Sequence, residues 1–517
     1  MTTNRDLTAA WSYHNDTKHS LARIRNNPHS LDWENQPLAF KIYTDAERIP
    51  LPQDVLTVST PMLQAIATLP QESQQDCLPD LATLAALLHL SAGITKRRTY
   101  PGGEVYFRAA ACTGALYHID LYLVCRDLPE LSAGVYHFGP HDFALRCLRK
   151  GDYRSVLAHA SGRLPAVQHA PVTIVCTSTY WRNAWKYQAR TYRHCFWDAG
   201  TLLANFFATA AALSIPTRLV AGFVDAEVNQ LLGLDTEREV SLALLPCGYS
   251  PVETPASSPP RNPLQLQTAP LSKTEVDYPA IRTMHAASSL GTDGEVEKWR
   301  KSSPLMSEPE PIGRLFALHP LLDADSTRSS LDFVVRHRGS ARVFAREPIS
   351  FAQLSTILVA ATQGVPADFL TPAGASLTTV YLIINSVDGL PPGAYVFQRS
   401  RNALELLREG EVRREAGYLG LGQQLPADAS VNIFCLTDLA AVLECFGNRG
   451  YRAAQLEAAI IGGKCYLAAY GQGLGATGLT FFDDDVTEFF SPHAEGKSVM
   501  FLTAIGKPAK KRIVAQG

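Results

Sequence analysis

The stretch GVYHF at residues 134–138 returns as GAYVF at residues 393–397, an offset of 259 positions. A single register of matching residues at this offset extends over residues 122–193, which is not typical of chance self-similarity. The pattern predicts a duplicated domain, because the period is far longer than that of a solenoid repeat. The matches are Tyr122 with Tyr381, Ala144, Leu145, Leu148, Arg149 and Gly151 with Ala403, Leu404, Leu407, Arg408 and Gly410, Val172, Ile174 and Cys176 with Val431, Ile433 and Cys435, and Arg190, Tyr192 and Arg193 with Arg449, Tyr451 and Arg452.

A proline- and serine-rich segment separates the two copies. Its sequence, SPVETPASSPPRNPLQLQTAPLS at residues 250–272, is typical of a linker that has no core of its own. A chain of 517 residues is also too long for one ordinary hydrophobic core. We therefore predict a first domain at residues 1–249, a linker at residues 250–272 and a second domain at residues 273–517.

Both copies show the same order of helical and β-like runs. A helical run precedes a glycine-containing loop, several β-like runs follow, and a long helix rich in Ala and Gly lies at about residues 190–213 in one copy and 449–472 in the other. This order predicts an α+β fold, or an α/β fold with a mixed sheet. Because small residues let two helices approach closely, we expect two mixed-sheet domains that form an intrachain pseudo-dimer around a helical interface.

The overall composition is that of a soluble globular protein. Hydrophobic residues make up 46% of the chain, charged residues 19%, and the formal net charge is −2, which argues against a nucleic-acid partner. The ten cysteines show no CxxC pair, which argues against a zinc site and against a disulfide framework. No apolar leader is visible, and the longest apolar run is too short to cross a membrane. We expect a cytoplasmic protein with no metal and no membrane partner.

Cations and aromatic residues are crowded into residues 181–200, WRNAWKYQARTYRHCFWDAG, directly before an apolar helix. The mixture suits a wall that meets a flat, electron-rich or anionic ligand. Arg190 and Arg193 recur in the second copy, so we expect them to serve structure through an arginine–aromatic stack. Asp198, which matches Glu457, is expected to pair with one of these arginines.

Four motifs resemble the FMN-dependent nitroreductase superfamily, and above all its SagB/ThcOx-type dehydrogenase branch in a tandem-domain form. The resemblance covers nearly the whole chain apart from the linker and the N-terminal segment. It implies a duplicated nitroreductase-like fold and an FMN cofactor at the seam between the copies, since members of that superfamily are homodimers with FMN at the subunit interface. The motifs are RHRGSARVF at 336–344, RAAACTGALYHIDLYLV at 108–124, WKYQARTYRHCFWDAG at 185–200 and GLGATGLTFFDDD at 473–485.

The phosphate of FMN is expected at the first of these motifs. If the segment is extended, Arg338, Ser340 and Arg342 fall on one face, where two guanidinium groups and a hydroxyl make a phosphate cradle. From the residues alone, an exposed basic strand edge is an open alternative. In the superfamily a basic residue after the final strand returns to the same phosphate, so the resemblance implies Arg512, with Lys511 second.

Two further segments are expected against the flavin ring. Cys112, Thr113 and Gly114 stand where the superfamily has a Pro-Ser-x-Gly-type loop beneath the ring, although the first residues depart from that pattern. An ordinary tight turn is the alternative. The resemblance further places Thr480 and Phe481 in the loop whose backbone N–H approaches flavin N5.

Lys186 and Tyr187 are the predicted catalytic pair. A lysine beside a tyrosine favours the phenolate, so we expect the pKa of Tyr187 to be lowered. The tyrosine would then act as a general base while a hydride moves to N5, as the resemblance to azoline dehydrogenases implies. The alternative is that Lys186 reaches solvent and Tyr187 packs in the core.

The two copies differ in ways that predict one complete site and one degenerate site. The first-copy match of RGSARVF is QPLAFKIY at residues 36–43, which keeps only Lys41 as a cation. The second-copy matches of Lys186 and Tyr187 are Cys445 and Phe446, and the match of the ring loop is TPAGAS at 371–376. The complete site therefore combines the cradle of the second copy with the ring loop and catalytic pair of the first.

The function expected from these features is that of an FMN-dependent oxidoreductase. It would transfer hydride to or from flavin N5 and act on a small-molecule substrate. NAD(P)H is a transient donor in this scheme, because no GxGxxG fingerprint for a tightly held nicotinamide is present. Two alternatives remain: an azoline dehydrogenase in peptide natural-product maturation, and a non-catalytic protein that binds or sequesters FMN. The pseudo-dimer would allow a monomeric chain.

Overall fold

The computed structural model describes residues 3–26, 28–69, 75–100, 103–302, 308–321, 329–372 and 374–509. The first half of the chain, residues 1–249, forms one six-stranded sheet in the order β1-β6-β5-β4-β7-β8 and a separate β2–β3 hairpin. Its strands are β1 Glu47–Pro50, β2 Ile94–Tyr100, β3 Gly103–Arg108, β4 Ile119–Cys125, β5 Gly134–Gly139, β6 Ala144–Lys150, β7 Val172–Thr179 and β8 Glu239–Cys247. Its helices are α1 Thr8–Asp16, α2 Leu21–Asn26, α3 Met62–Ala67, α4 Leu81–Ala92, α5 Arg154–Ala160, α6 Pro165–Gln168, α7 Tyr180–Tyr187, α8 Thr191–Ala212 and α9 Asp225–Leu232.

The second half, residues 273–517, forms a seven-stranded sheet in the order β16-β17-β15-β11-β13-β14-β9. Its strands are β9 Arg314–Ala317, β10 Ile349–Ser350, β11 Thr379–Ile384, β12 Val387–Asp388, β13 Gly393–Gln398, β14 Ala403–Glu409, β15 Val431–Thr437, β16 Gly475–Leu479 and β17 Ser498–Gly506. Its helices are α10 Pro279–Ala287, α11 Asp293–Arg300, α12 Leu331–His337, α13 Phe351–Ala361, α14 Arg413–Leu419, α15 Gln424–Asp428, α16 Leu439–Phe446, α17 Arg449–Gly471 and α18 Asp483–Phe490.

The duplication predicted from the sequence is present in the structure. β5 and β13, β6 and β14, and β8 and β17 are each separated by 259 positions and occupy the same places in the two sheets. The strand pairs of both large sheets are antiparallel, and the short β10–β12 pair is parallel. The α+β fold is therefore confirmed, although the two large sheets are antiparallel rather than mixed as predicted. We call two residues 259 positions apart counterparts.

The repetition also includes the first helix of each half, which the sequence comparison did not reveal. α1 and α10 pack in equivalent places: His14 Nδ1 lies 3.3 Å from the Tyr451 hydroxyl, and His285 Nδ1 lies 3.4 Å from the hydroxyl of Tyr192, the counterpart of Tyr451. The offset here is 271 rather than 259, because the segment between this helix and the first central strand differs in length between the two halves. A comparison at one fixed offset cannot detect such a shifted match.

The long helices α8 and α17 form the interface that the small residues predict. A Cβ atom on Gly200 would lie 2.5 Å from the Cβ of Ala459, and one on Gly463 would lie 2.6 Å from the Cβ of Ala204. Because Gly200 and Ala459 are themselves counterparts, as are Ala204 and Gly463, a pseudo-twofold axis passes between the two helices at this point. No room exists there for any residue larger than glycine.

Buried ion pairs join the two halves on both sides of this axis. Arg190 and Arg193 at the start of α8 bind Asp483 at the start of α18, with N···O distances of 3.1 and 2.6 Å. Their counterparts Arg449 and Arg452 bind the equivalent Asp225, at 2.6 and 2.7 Å. The Arg190 guanidinium also stacks on aromatic rings, 5.6 Å from Trp197 and 5.5 Å from Phe481. The predicted structural role of these arginines is confirmed.

Within the residues that the structure describes, no helix has both the length and the apolar character needed to cross a membrane.

Candidate active site between the two halves

The turn at Cys112–Gly114 precedes β4 and is held by a carboxylate from α8. Asp198 accepts hydrogen bonds from the Thr113 backbone N–H at 2.9 Å, the Thr113 hydroxyl at 2.6 Å and the Cys112 thiol at 3.0 Å. Gly114 has a φ of +63°, the left-handed region that glycine occupies without strain. The prediction that Asp198 pairs with an arginine is therefore wrong, since Asp483 binds those arginines instead.

The second half reaches this turn through Arg338. Its Nε donates a hydrogen bond to the carbonyl oxygen of Ala109, and its Nη2 donates to that of Arg108 at 3.1 Å. The motif leaves the helix only at Arg338, because Arg336 and His337 are the last two residues of α12. The residues that follow His337 lie outside any strand. The structure thus brings the predicted phosphate cradle and the predicted ring loop together.

The other cradle residues lie at the surface of the same seam. Ser340 is half-buried, with its hydroxyl 3.4 Å from that of Tyr466, and Arg342 is exposed. Among the described residues, no carboxylate lies within ion-pair distance of Arg338 or Arg342, so both guanidinium groups can bind an anion. Lys511 and Arg512, the remaining predicted phosphate ligands, lie outside the described residues.

Tyr187, the last residue of α7, lies directly over the turn. A Cβ atom on Gly114 would come within 3.0 Å of the Tyr187 hydroxyl, so only glycine leaves room for it. The Lys186 ammonium lies 5.5 Å from the centre of the Tyr187 ring, and the ring packs edge-on against His194 with centroids 4.5 Å apart. Both predicted catalytic residues are half-buried.

The pKa of Tyr187 is raised well above its usual range of about 10. Burial of the phenol is the main cause, the negative charge of Asp198 adds to it, and Arg342 opposes it. The expectation that Lys186 lowers this pKa is wrong, because burial outweighs the effect of nearby cations. Tyr187 is consequently a neutral phenol at physiological pH, which can donate a proton.

Thr480 and Phe481 follow β16 of the second half and carry unsatisfied polar groups. The Thr480 hydroxyl is buried without a hydrogen-bond partner among the described residues, and none of those residues accepts a hydrogen bond from the N–H of Thr480 or Phe481. Phe481 is fully buried, and its ring lies 5.7 Å from that of Trp197. Because buried polar groups are nearly always paired, this loop has the character of a surface that meets a ligand.

Most of the residues 181–200 that suggested a ligand-binding wall serve the protein's own structure. Arg182 is fully buried and pairs with Asp120. The indole N–H groups of Trp181 and Trp185 donate to the Ser272 hydroxyl and to the carbonyl of Asp32, respectively. Tyr187 is the α7 residue that reaches the Cys112–Gly114 turn, so the wall is much smaller than the composition indicated.

Lys41, the cation that remains in the first-half match of the phosphate cradle, is already neutralised within its own half. Lys41 Nζ lies 2.5 Å from the Glu239 carboxylate and donates a hydrogen bond to the Tyr122 hydroxyl at 2.8 Å. Although burial disfavours its charge, the Glu239 carboxylate raises the pKa of Lys41 above its usual range. A lysine held in this way cannot serve a phosphate.

The pseudo-twofold axis relates the seam to a second cleft beside Phe446 of the second half. A tryptophan fills the space of this cleft. Trp299 of α11 packs on Phe446, with ring centroids 5.2 Å apart, and its ring would lie 2.9 Å from a Cβ atom on Gly222. Phe446 is the counterpart of Tyr187. Gly222, three positions before Asp225, is equivalent to Thr480, three positions before Asp483. The indole therefore occupies the region of the second cleft that corresponds to the seam between Tyr187 and Thr480 in the first.

The backbone donors of the second cleft are also taken. Asp368 accepts hydrogen bonds from the N–H groups of Ala221, at 2.9 Å, and Gly222, at 3.0 Å. Gly222 is equivalent to Thr480, whose N–H group has no such partner among the described residues. Neither sequence motif indicated this difference, because it arises from Asp368, whose counterpart in the first half is the non-polar Ala109.

The described part of the chain has no group of three or more His, Cys, Asp or Glu side chains placed to hold a metal ion.

Comparison with known proteins finds one family and several similar structures. The model of the nitroreductase family matches residues 35–249 and 335–507. A solved structure described as a nitroreductase, from Anabaena variabilis, is 27% identical with a TM-score of 0.76; the similarity covers 97% of this chain and 99% of that one. A protein of Methanocaldococcus jannaschii named as a nitroreductase is 25% identical over 168 residues, which is 32% of this chain and 80% of that protein.

Proposed function

Since the chain belongs to the nitroreductase family as a tandem duplication, we propose that it is an FMN-dependent oxidoreductase with one complete flavin site at the seam between its halves. Family membership supports oxidoreductase chemistry. The observation that carries the site is the contact of Arg338 in one half with Ala109 in the other, beside the turn that Tyr187 covers. When bound, FMN would supply hydride exchange at its N5 position.

The residues at the seam fit a flavin nucleotide. Arg338, Ser340 and Arg342 would hold the phosphate, because two guanidinium groups without carboxylate partners flank a hydroxyl there. The Cys112–Gly114 turn and the unpaired polar groups of Thr480 and Phe481 would meet the ring. Gly114 and Arg342 are exposed, so the turn and the cradle can both be reached from solvent. One chain supplies both halves of this site, so a monomer would suffice.

The protonation state of Tyr187 favours reduction of a substrate. A neutral phenol donates a proton to an acceptor atom at the moment when hydride reaches the neighbouring atom. The dehydrogenation that the SagB-type resemblance implies would instead need a base, and burial disfavours the phenolate. We therefore propose that NAD(P)H donates transiently and that a small organic acceptor is reduced.

Stopped-flow absorbance tests this function. Mixing the flavin-loaded protein with NADH or NADPH should bleach the flavin band, and an added organic acceptor should restore it. A flavin that no nicotinamide and no azoline reduces would indicate a storage protein. Reduction by an azoline, with no response to NAD(P)H, would indicate the dehydrogenase alternative.

Replacing Arg338 with alanine is expected to weaken FMN binding by about 10- to 100-fold, because charge-assisted hydrogen bonds contribute roughly 1.5–3 kcal/mol. Quenching of FMN fluorescence during titration measures the dissociation constant. Arg336→Ala is the matched control, since Arg336 is two residues away and pairs with Asp332. Equal affinities for the two variants would contradict the phosphate assignment of Arg338.

The saturated protein is expected to contain one FMN per chain. Trp299 takes up space in the second cleft and Asp368 takes up its backbone donors, so that a second nucleotide has neither room nor donors there. Flavin absorbance, compared with protein concentration from amino-acid analysis, gives the ratio. A ratio near two would show that the second cleft opens to FMN.

A further inference from the structure

We infer that Asp198 is a positioning residue of the proposed flavin site: it holds the Cys112–Gly114 turn in place beneath Tyr187. This inference rests on the proposed function and extends it to a residue that touches neither phosphate nor ring. Asp198 is 5% exposed and sends its carboxylate toward the turn from α8, the most deeply buried helix of the first half.

Three donors of the turn converge on this one carboxylate. Thr113 gives its backbone N–H and its hydroxyl to Oδ1, and Cys112 directs its thiol to Oδ2. Burial raises the pKa of the Cys112 thiol well above its usual value, so the thiol keeps its proton and acts as a donor. A carboxylate that accepts several such hydrogen bonds fixes both the position and the direction of the backbone.

A buried histidine fixes the carboxylate in turn. His118 Nε2 lies 2.9 Å from Asp198 Oδ2, and His118 Nδ1 lies 2.8 Å from the Ser178 hydroxyl. His118 is fully buried and Ser178 belongs to β7, so the sheet supports the position of Asp198 through two hydrogen bonds. His118 and Asp198 thereby connect the central sheet to the turn through buried hydrogen bonds.

The counterpart of Asp198 performs the same task in the second cleft and provides a natural control. Glu457 accepts hydrogen bonds from the Ser376 hydroxyl at 2.6 Å and the Leu377 backbone N–H at 2.8 Å. Both acidic residues thus anchor the segment before the first central strand of their own half. Only Asp198 anchors a segment that faces Tyr187, because Phe446 and Trp299 occupy the second cleft.

The test compares Asp198→Asn with Glu457→Gln in the full-length protein. For Asp198→Asn we expect FMN to bind about tenfold more weakly, since charged hydrogen bonds to the turn are lost. We also expect the reduced form of FMN to gain about tenfold in affinity relative to the oxidised form, because a negative charge is removed; this corresponds to a rise of about 30 mV in the two-electron midpoint potential. Glu457→Gln should leave both quantities at the wild-type values.

A readout without flavin separates this inference from the proposed function. In the flavin-free protein, amide hydrogen exchange of residues 109–117 should be faster in Asp198→Asn than in wild type, and unchanged in Glu457→Gln. Wild-type protein that binds no FMN would overturn the proposed function, while the exchange data would still test the anchoring of the turn. If wild type binds FMN but Asp198→Asn matches it in affinity, potential and exchange, the inference is overturned.

Thr113→Val is the second variant, in case Asp198→Asn does not fold. It removes the hydroxyl donor at 2.6 Å from Asp198 and keeps the shape and charge of the site. Faster exchange of the turn and weaker FMN binding, both smaller than for Asp198→Asn, are expected. Wild-type exchange and affinity in this variant would overturn the inference as well.

Discussion

Replacing Tyr187 with phenylalanine is expected to lower turnover by about 10²- to 10⁴-fold, the usual contribution of a positioned general acid, and to leave FMN bound. The hydroxyl lies over the Cys112–Gly114 turn and keeps its proton because burial raises its pKa. Phenylalanine fills the same space without a transferable proton. Steady-state kinetics with NADPH and a nitroaromatic acceptor, together with the flavin absorbance of the variant, check both parts of the prediction.

Tyr180→Phe is the matched control for this variant. Tyr180 belongs to the same helix, α7, and its buried hydroxyl has no hydrogen-bond partner among the described residues. Its removal should change turnover by less than about twofold, since the hydroxyl does not approach the turn. Turnover by Tyr187→Phe at the rate of this control would contradict the proton-donor role.

The same assignment predicts the pH dependence of turnover. A group whose pKa lies above its usual value of about 10 stays protonated from about pH 6 to pH 9, so the rate of substrate reduction should be flat across that range. A general base would give a rate that rises with pH.

The sequence was sufficient for the architecture and for the two halves of the site. GVYHF and GAYVF lie on equivalent strands, and the Ala- and Gly-rich runs became the helices that meet at Gly200 and Gly463. These features were predictable because each copy repeats the same local pattern, which local propensity and periodicity determine. The convergence of Arg338 on the Cys112–Gly114 turn followed from the family resemblance and from the complementary divergence of the copies.

The rest depends on contacts between distant segments. Asp198 lies close to Arg190 and Arg193 in the sequence, whereas Asp483 lies 290 positions from Arg193. Only the fold shows that Asp483 is the partner of these arginines. The direction of the Tyr187 pKa depends on burial, which the neighbouring lysine in the sequence does not report. The closure of the second cleft by Trp299 likewise depends on where α11 packs in the fold, which the sequence around Trp299 does not indicate.

The buried ion pairs between the halves lead to the largest expected effect on stability. Asp483→Ala should lower the free energy of unfolding by about 3–5 kcal/mol, because it leaves Arg190 and Arg193 buried without a counter-charge. Asp225→Ala should cost a similar amount, since Asp225 pairs with Arg449 and Arg452 across the same pseudo-twofold axis. Urea unfolding followed by circular dichroism measures the change.

Asp484→Ala is the control for position and charge. Asp484 follows Asp483 directly, but its side chain is 76% exposed and pairs only with Lys18, so its loss should cost less than about 1 kcal/mol. A loss of stability that is equal in Asp483→Ala and Asp484→Ala would show that burial of the pair is not the cause.

Acid sensitivity distinguishes the ionic contribution of Asp483 from a simple loss of packing. Burial opposes the charge of Asp483, but Arg190 and Arg193 outweigh it and hold the pKa of the carboxyl at about 2, below its ordinary value of 3.8. A native pKa below the unfolded one means that the folded state binds fewer protons, so the stabilisation is complete above about pH 4 and is lost as the pH falls toward 2. Between those values the stability of wild type should therefore fall more steeply than that of Asp483→Ala, and the difference between the two should shrink. Parallel pH profiles would show that the charge of the Asp483 carboxylate contributes nothing to the stability of the folded chain.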